Sequence, residues 1–336
     1  MKEGFSAIAV LMGTIIGAGI LALPFAISKS GFILGALILI VIAMLMTKIY
    51  FYLAEIGIKT SGRHQLTGYA QKYLGKKGKL AMLLAITFGI YTAMTAYIIG
   101  ESESISYVLF NSSNHSFIIG ILFWLIPPSI IFLKNKTFEK SERLGIISVF
   151  ALIFLSIILF ANKIETSNIY FINPSKFFFP LGVSIFAFLG FSAVPEVVRI
   201  LKKNKKEINK TILTSMILVL SIYLIFVFVV LGTTGKSISQ VSTISLGKIF
   251  VLLGIITMFN ASVALTNAMR NVFLFDYKKS NLTSCVLASL PSLILFIILK
   301  IFHQAAFVKI IEISGIISGG LTALLIILMI RKVRRT

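Results

Sequence analysis

The hydrophobic pattern divides the chain into long apolar segments separated by short polar ones. We count ten such segments, and most exceed the roughly 20 residues that a helix needs to cross a bilayer. They lie at about 5–28, 31–57, 79–109, 117–133, 144–162, 177–200, 209–234, 245–275, 282–301 and 306–330. The pattern predicts an all-α integral membrane protein with about ten transmembrane helices.

The first segment contains an unusual run for a membrane helix, Thr14-Ile-Ile-Gly-Ala-Gly-Ile-Leu-Ala-Leu-Pro24. Glycine inside a helix costs about 1 kcal/mol, and proline removes a backbone donor and clashes with the preceding turn. Backbone groups freed at membrane depth cannot turn to lipid, so they are tolerated where they line a cavity. The run therefore predicts a helix that is broken at mid-membrane and forms half of a substrate site.

The sixth segment contains a similar run, Val183-Ser-Ile-Phe-Ala-Phe-Leu-Gly-Phe-Ser-Ala-Val-Pro-Glu196. Gly190 precedes Pro195 by five residues, as Gly19 precedes Pro24, and the offset between the two pairs is 171 residues. An odd number of spans separates the two runs, so the second half would enter the membrane with opposite polarity. Two interrupted helices at corresponding positions of inverted halves indicate the site of a secondary transporter.

We therefore expect a five-plus-five inverted repeat in one transmembrane domain. Residues 1–162 would form the first repeat and residues 163–336 the second. Coincidence is the alternative, because glycine and proline are both common in transmembrane helices.

Composition and charge agree with this class of protein. The chain is 57% hydrophobic and only 13% charged, with a mean hydropathy of +1.00, which excludes a soluble fold. If the N-terminus is inside and the spans alternate, only seven of the 32 Lys and Arg residues fall outside the cell and 25 fall inside. This asymmetry predicts cytoplasmic termini in the cell membrane, and it explains the net charge of +21 without nucleic acid. One cysteine and three scattered histidines predict no metal site and no cofactor.

Several stretches carry a family resemblance. The first-helix motif of the amino acid/auxin permease superfamily is similar to Gly13-Thr-Ile-Ile-Gly-Ala-Gly-Ile-Leu-Ala-Leu-Pro24, and its sixth-helix motif to Phe188-Leu-Gly-Phe-Ser-Ala-Val-Pro-Glu196. Further matching stretches are Tyr91–Ile98, Lys202–Lys206, Phe273–Tyr277 and Leu290-Pro291. The chain most resembles the bacterial tryptophan/tyrosine permeases, over nearly its whole length.

The resemblance implies a fold of the leucine-transporter type with helices 1 and 6 broken. It also implies a symporter that takes up amino acids by alternating access, driven by an ion gradient. With the phenylalanines of the sixth span, we expect a neutral L-amino acid with an aromatic or large apolar side chain as substrate.

A zwitterion at the bilayer midplane needs two opposite partners. Its carboxylate suits free amides at a half-helix N-terminus, here near Ala18, Gly19 and Ile20. Its ammonium suits carbonyls freed by unwinding, near Ile15 and residues 186–189. The predicted substrate set is Ile15, Gly17, Ala18, Gly19, Ile20, Tyr97, Phe186, Phe188, Leu189, Phe191, Ser262 and Thr266.

Several members of this set have a plainer reading. By resemblance, Tyr97 lies where relatives place a tyrosine hydroxyl against the substrate carboxylate, but an interfacial aromatic is the alternative. Each phenylalanine could equally be an ordinary helix-packing residue.

The coupling ion is less well specified. By resemblance, a sodium site would take carbonyls of Gly13 and Ile16 and the hydroxyl of Ser262, but Ala261 stands where a second hydroxyl is expected. A proton would need an intramembrane acid, which is costly and usually functional. Glu101 and Glu196 are the first candidates, and we favour a proton over sodium.

Both acids also have structural alternatives. Glu196 could form an ion pair with Arg199, and Glu101 could be wet near the outer end of its span. A sodium symporter and a non-transporting amino acid sensor remain alternatives for the function. A membrane enzyme is disfavoured because the few acids are scattered, and a channel because no filter sequence recurs.

Overall fold

The computed structural model describes residues 2–62, 64–132 and 137–335, and the described residues contain helices and loops but no strands. Arg63, Lys134 and Lys136, which belong to predicted inner loops, lie outside the described residues. In chain order the α-helices are α1 (Lys2–Ile15), α2 (Gly19–Ser30), α3 (Phe32–Lys59), α4 (Leu66–Phe110), α5 (Ser116–Phe132), α6 (Thr137–Phe160), α7 (Thr166–Tyr170), α8 (Leu181–Ala187), α9 (Val194–Ile200), α10 (Lys205–Thr234), α11 (Ser242–Leu246), α12 (Lys248–Asn271), α13 (Asn281–Ile301), α14 (Phe307–Ser314) and α15 (Gly320–Val333).

Short non-α turns extend or join several of these helices. The 3₁₀ turns are Ala161–Lys163, Pro174–Lys176 and Phe191–Ala193. The π-helical turns are Val272–Asp276, which follows α12, and Gly315–Gly319, which joins α14 to α15.

The helices are those of a multi-pass membrane protein. Within the described residues, seven helical segments are long and apolar enough to cross a bilayer, with Leu181–Ile200 (α8 and α9) and Phe307–Val333 (α14 and α15) each counted as one. An eighth span arises if α1 and α2 are counted as one bent helix. Two shorter apolar helices, Ser116–Phe132 and Ile147–Lys163, cover the fourth and fifth predicted segments. The count of ten spans and the inverted repeat stay predictions.

Both predicted helix breaks are present. The first span ends as α1 at Ile15 and resumes as α2 at Gly19, with a bend of 56° between the two helices. The sixth span ends as α8 at Ala187 and resumes, after a loop and a 3₁₀ turn, as α9 at Val194. The glycine-rich runs therefore mark real interruptions of two membrane helices.

The prolines do not make these breaks, contrary to the role that the sequence suggested for them. Pro24 lies inside α2, well beyond the first break, while Pro195 lies in the first turn of α9. A proline in the first turn costs little because its missing N–H would have no helical partner there. The matching glycine-to-proline spacing thus has two different structural outcomes.

Helix α4 is the long central element of the fold. Gly75, with φ 73° and ψ −165°, separates its first two turns from the membrane-spanning part. This positive φ suits glycine because it has no Cβ. Beyond Gly75, α4 packs against α5, α12, α13, α14 and α15.

The two ends of the helices form two faces of the molecule. We call the end where α1 begins and α15 finishes the basic face, and the other end the opposite face. At the basic face, Lys202 bonds Glu3 at 2.7 Å and Arg334 bonds Glu55 at 2.7 Å. These ion pairs bring the N-terminus together with the loop after α9, and the C-terminal end together with the end of α3.

Candidate functional site at the two helix breaks

The two breaks touch each other inside the protein. A Cβ placed on Gly19 would lie 2.8 Å from the Cα of Ala187, so α2 begins in direct main-chain contact with the end of α8. A Cβ on Gly190 would lie 2.5 Å from Ile15 Cγ1 and 2.8 Å from the Tyr50 hydroxyl. Only glycine fits at either position without a shift of its neighbours.

The start of α2 presents main-chain amides to this region. Ala18 occupies the N-cap position and its side chain gives no capping bond, while Gly19 and Ile20 open the helix. The first amides of a helix have no partner within it, and the helix dipole adds positive character there. Ala18, Gly19 and Ile20 are all buried, so this helix terminus is an anion-attracting position inside the protein.

Tyr97 lies directly against this helix terminus. It is buried in α4, and its hydroxyl lies 3.5 Å from the position of a Cβ on Gly17 and next to the Ala18 main chain. Nothing else lies within 4 Å of that Cβ position, so Gly17 has an open side that faces the hydroxyl. The structure thus brings together Gly17, Ala18, Gly19, Ile20 and Tyr97 of the predicted set.

Two tyrosines that the sequence analysis missed brace the breaks. The Tyr223 hydroxyl of α10 donates to Ala187 O at 2.8 Å and approaches Ile15 O at 3.3 Å. The Tyr50 hydroxyl of α3 donates to Phe188 O at 3.0 Å. Both rings are fully buried.

A buried phenol needs a hydrogen-bond partner, and a tyrosine within an apolar segment was the one sequence signal available for them. These bonds also affect the predicted ammonium subsite. A carbonyl oxygen has two lone pairs, and a tyrosine hydroxyl already uses one of them. A substrate ammonium at Ile15 or Phe188 would share the carbonyl with a tyrosine.

The aromatic residues of the sixth span face different neighbours. The Phe188 ring packs on Tyr223 with centroids 5.4 Å apart, and the Phe191 ring packs on Tyr50 at 5.1 Å. Phe186, which is also buried, has its main-chain nitrogen 2.9 Å from a Cβ position on Gly315. Phe188 and Phe191 therefore have ring partners within the protein already.

Leu189 completes the predicted set on this span. It is half-buried, and its side chain lies 3.1 Å from a Cβ position on Gly319. Phe186 and Leu189 both contact the π-helical turn Gly315–Gly319, an element that the sequence analysis did not single out. π-turns inside membrane helices often mark functional positions.

Ser262 and Thr266 lie elsewhere. The Thr266 hydroxyl donates to Ser262 O at 2.7 Å, and both residues line a small cavity with Trp124 and Pro127 of α5. The lining of this cavity includes none of the residues of the two breaks. Neither hydroxyl has a described contact with the residues of the two breaks.

The residues predicted for ion coupling are also separated. Gly13 is exposed and Ile16 is half-buried, both beside the first break. Glu196 is partly exposed and accepts a bond from Arg199 Nε at 2.9 Å, which is the ion pair considered above. Glu101 is fully buried, and its carboxyl oxygens have no hydrogen-bond partner among the described residues.

Several residues on the basic-face side of the breaks are exposed. Small or polar residues are exposed there: Thr14 of α1, Ser192 after the second break and Ala268 of α12. Lipid-facing surfaces elsewhere carry large apolar residues, as α3 does at Leu37 and Met44. Exposed small and polar groups at membrane depth are typical of a water-filled opening.

The other end of the first span is closed. Nearly all of α2 is buried, including Gly19 to Pro24, and it packs against α3, α8 and α10. In this conformation the breaks are therefore covered by α2 on the side of the opposite face.

Comparison with known sequences decides the family. The sequence profile of the tryptophan/tyrosine permease family matches residues 1–245, which is most of the chain. The chain belongs to this family. Membership of the tryptophan/tyrosine permease family places it among permeases rather than among membrane enzymes.

Individual relatives transport different amino acids. Glutamine transporter 2 of Aliivibrio fischeri is 23% identical over 72% of this chain and 64% of its own length. Tyrosine-specific transport system 1 of Haemophilus influenzae is 23% identical over 67% and 57%. The low affinity tryptophan permease of Escherichia coli K12 is 24% identical over 70% and 59%. The chain thus matches only about three fifths of the length of these relatives.

A solved structure shares the fold. The crystal structure of MhsT in complex with L-phenylalanine superimposes with a TM-score of 0.59 and covers 99% of this chain and 98% of its own. The sequence identity is 14%, so this likeness concerns the fold alone. It extends through the C-terminal part of the chain, beyond the residues that the family profile matches.

Proposed function

We propose that this permease is a secondary active symporter of neutral L-amino acids. The observation that carries the proposal is the buried start of α2, where amides without helical partners meet the span-six break beside Tyr97. An amino acid carboxylate fits an amide-lined helix terminus with a neighbouring hydroxyl.

The substrate side chain would be large and apolar or aromatic. Phe186 and Leu189 lie beside the π-helical turn of the tenth predicted span and offer apolar surface near the breaks. The relatives named for tryptophan and tyrosine support this substrate class. Glutamine is the main competing substrate, because one relative is named for it.

Alternating access would expose the site to each side of the membrane in turn. Because α2 covers the breaks on the side of the opposite face, the present conformation would be the state that releases substrate into the cytoplasm. This assignment takes the basic face as cytoplasmic, as the positive-inside rule predicts. The protein would then lie in the cell membrane with both termini inside the cell.

A proton is the coupling ion in our proposal. A sodium site between the first and eighth predicted spans would need oxygen ligands. The accessible inner part of α12 offers Ala261, Ala264 and Ala268, while Ser262 and Thr266 line a separate cavity. Gly13 and Ile16 could still offer carbonyls, but two carbonyls without hydroxyls make a poor sodium site.

Uptake by purified protein in liposomes tests this function. A panel including tryptophan, tyrosine, phenylalanine, leucine and glutamine would be offered under an inward proton gradient and, separately, an inward sodium gradient. We expect accumulation of an aromatic or large apolar amino acid under the proton gradient. Accumulation under the sodium gradient alone would overturn proton coupling. Binding without movement under any gradient would indicate a sensor instead.

A further inference from the structure

Glu101 is the most unusual charged residue inside the bundle. It lies in the membrane-spanning part of α4 with no exposed surface, and both carboxyl oxygens lack a hydrogen-bond partner among the described residues. The Phe259 main chain of α12 lies beside the carboxyl group, outside the geometry of a regular hydrogen bond. An unpaired carboxylate is very costly in such a place, so this environment accommodates the neutral acid.

No described charge compensates this carboxyl group. Among the titratable groups of the elements packed on α4, Lys300 of α13 lies toward Glu103, and Lys309 of α14 lies toward Glu312. Helix α5 contains no titratable residue, and Arg270 of α12 bonds Asn281 at the far end of that helix. On α4 itself the neighbouring titratable groups are Glu103, two residues further on, and Tyr97, one turn before Glu101.

The position of Glu101 relative to the substrate site is informative. Residues four apart on a helix share one face, with Cβ atoms about 5–6 Å apart. Glu101 and Tyr97 are such a pair, and the Tyr97 hydroxyl lies next to Ala18 at the start of α2. Glu101 thus stands about one helical turn from Tyr97, whose hydroxyl lies beside the proposed position of the substrate carboxylate.

We propose that Glu101 is the proton-binding residue that couples transport to the proton gradient. This inference rests on the proposed function and names the coupling residue of the same site. A proton from water adds to the carboxylate to give the neutral acid, and the substrate carboxylate then binds without repulsion. Loss of that proton on the cytoplasmic side restores the negative charge and favours substrate release.

The coupling follows from linkage between the two ligands. If protonation of Glu101 strengthens substrate binding by some factor, substrate binding must strengthen proton binding by the same factor. Two negative charges at this separation in a poorly hydrated site repel strongly. We expect a coupling factor on the order of 10 to 100, within the usual range for linked sites.

Further polar groups lie between Glu101 and the opposite face. Ser104, one turn beyond Glu101 on α4, is buried and its hydroxyl has no partner among the described residues. The hydroxyls of Ser242 and Thr243 in α11, at the opposite face, are buried without described partners as well. Partly unsatisfied hydroxyls of this kind suit a transient water path, so we expect the proton to enter from the opposite face.

Replacement of Glu101 by glutamine tests the inference, because glutamine keeps the shape and removes the titration. We expect Glu101→Gln to bind the amino acid with an affinity that no longer changes between pH 5 and 8. We expect the variant to exchange internal for external amino acid across liposomes. We also expect its accumulation of amino acid under a proton gradient to fall at least about tenfold. Accumulation at the wild-type level would overturn the inference.

Glu103→Gln is the matched control. Glu103 is an acid on the same helix, but it is only partly buried and its charged neighbour is Lys300. This variant should keep both the pH dependence of binding and the accumulation. If Glu103→Gln lost accumulation while Glu101→Gln behaved like the wild type, our proposal would have named the wrong residue as the proton-binding group.

A measurement on the unaltered protein covers the case in which Glu101→Gln does not fold. Addition of substrate to weakly buffered wild-type protein should cause net proton uptake near neutral pH. Binding without proton uptake would overturn the inference while leaving the proposed function intact. No binding of any amino acid, judged by thermal shift of the wild type, would instead refute the proposed function.

Discussion

The two helix breaks share a sequence pattern but differ in how their backbone groups are used. The first break spans three residues, Ile16 to Ala18, and leaves amides at the start of α2 beside the Tyr97 hydroxyl. The second is longer, and its carbonyls at Ala187 and Phe188 accept bonds from tyrosines. The first break leaves amides without helical partners, whereas the carbonyls of the second are bonded by side chains of the protein.

This difference indicates that an interrupted membrane helix is not by itself a binding element. Backbone groups at membrane depth must be satisfied, and a neighbouring side chain can do this as well as a ligand. In the second break Tyr50 and Tyr223 already do so. In the first break Tyr223 approaches only Ile15 O, and the amides at the start of α2 keep no helical partner.

The largest effect should come from filling the first break. Gly17→Leu places a side chain in the open space beside the Tyr97 hydroxyl, which lies 3.5 Å from the Cβ position. We expect substrate affinity to fall on the order of 100-fold, since overpacking costs about 1–3 kcal/mol and each 1.4 kcal/mol is tenfold. Binding of radiolabelled amino acid to purified protein measures this.

Gly4→Leu is the control for adding the same side chain to the first span. A Cβ on Gly4 meets nothing within 4 Å, so binding should be unchanged. Equal affinity in Gly17→Leu and the wild type would show that the first break does not hold the substrate. Gly19 is less suitable for this test, because a Cβ there meets the Ala187 main chain and would disturb the packing of the breaks.

Removal of the Tyr223 hydroxyl should have the next largest effect. Tyr223→Phe leaves the buried Ala187 carbonyl without its donor and ends the approach to Ile15. We expect a loss of about 1–3 kcal/mol in stability, measured by thermal unfolding in detergent. Tyr107→Phe is the control, because its hydroxyl has no partner in the described part of the chain. Equal melting temperatures for both variants would argue against bracing.

Tyr50→Phe should act in the same direction but less strongly. The Tyr50 hydroxyl serves one carbonyl, that of Phe188, and belongs to one break only. We expect a loss of about 1 kcal/mol in stability. The double variant with Tyr223→Phe should deviate from additivity, since both side chains hold neighbouring carbonyls of one segment. If the losses of stability of the two single variants simply add in the double variant, the two tyrosines act independently.

The smallest effect should come from the surface ion pair that joins the two spans at the basic face. Glu3 and Lys202 are both largely exposed, so water and salt screen their attraction. Lys202→Ala should leave the melting temperature and the substrate affinity unchanged within error. A clear loss of uptake would show that this contact, and not the breaks, controls how α1 and α9 move together.

The breaks themselves could be predicted from the sequence, because glycine in an apolar membrane segment has a direct energetic meaning. Gly19 and Gly190 lie at the breaks as expected. The bracing tyrosines could not be assigned, since an aromatic residue in an apolar span resembles ordinary packing until its hydroxyl has a visible acceptor. Tyr50 and Tyr223 come from spans that carry no motif.

The candidate ion-coupling residues could be distinguished only by their burial, which the sequence does not give. Glu101 and Glu196 are equivalent as intramembrane acids in the sequence. Only the structure shows that Glu101 is buried without a hydrogen-bond partner among the described residues, while Glu196 is partly exposed and paired. Ser262 and Thr266 show a related limit. Their spacing places them on one helix face, but the sequence does not say which neighbour that face meets.

The contact between Gly19 and Ala187 has a mechanical consequence. Main chain meets main chain there, so no side-chain rotamer can absorb a displacement of one helix relative to the other. Interiors packed this closely transmit strain and do not cushion it. A small tilt of α2 should therefore move α8 by a similar amount. The contact between the first and sixth predicted spans couples the two helices rigidly.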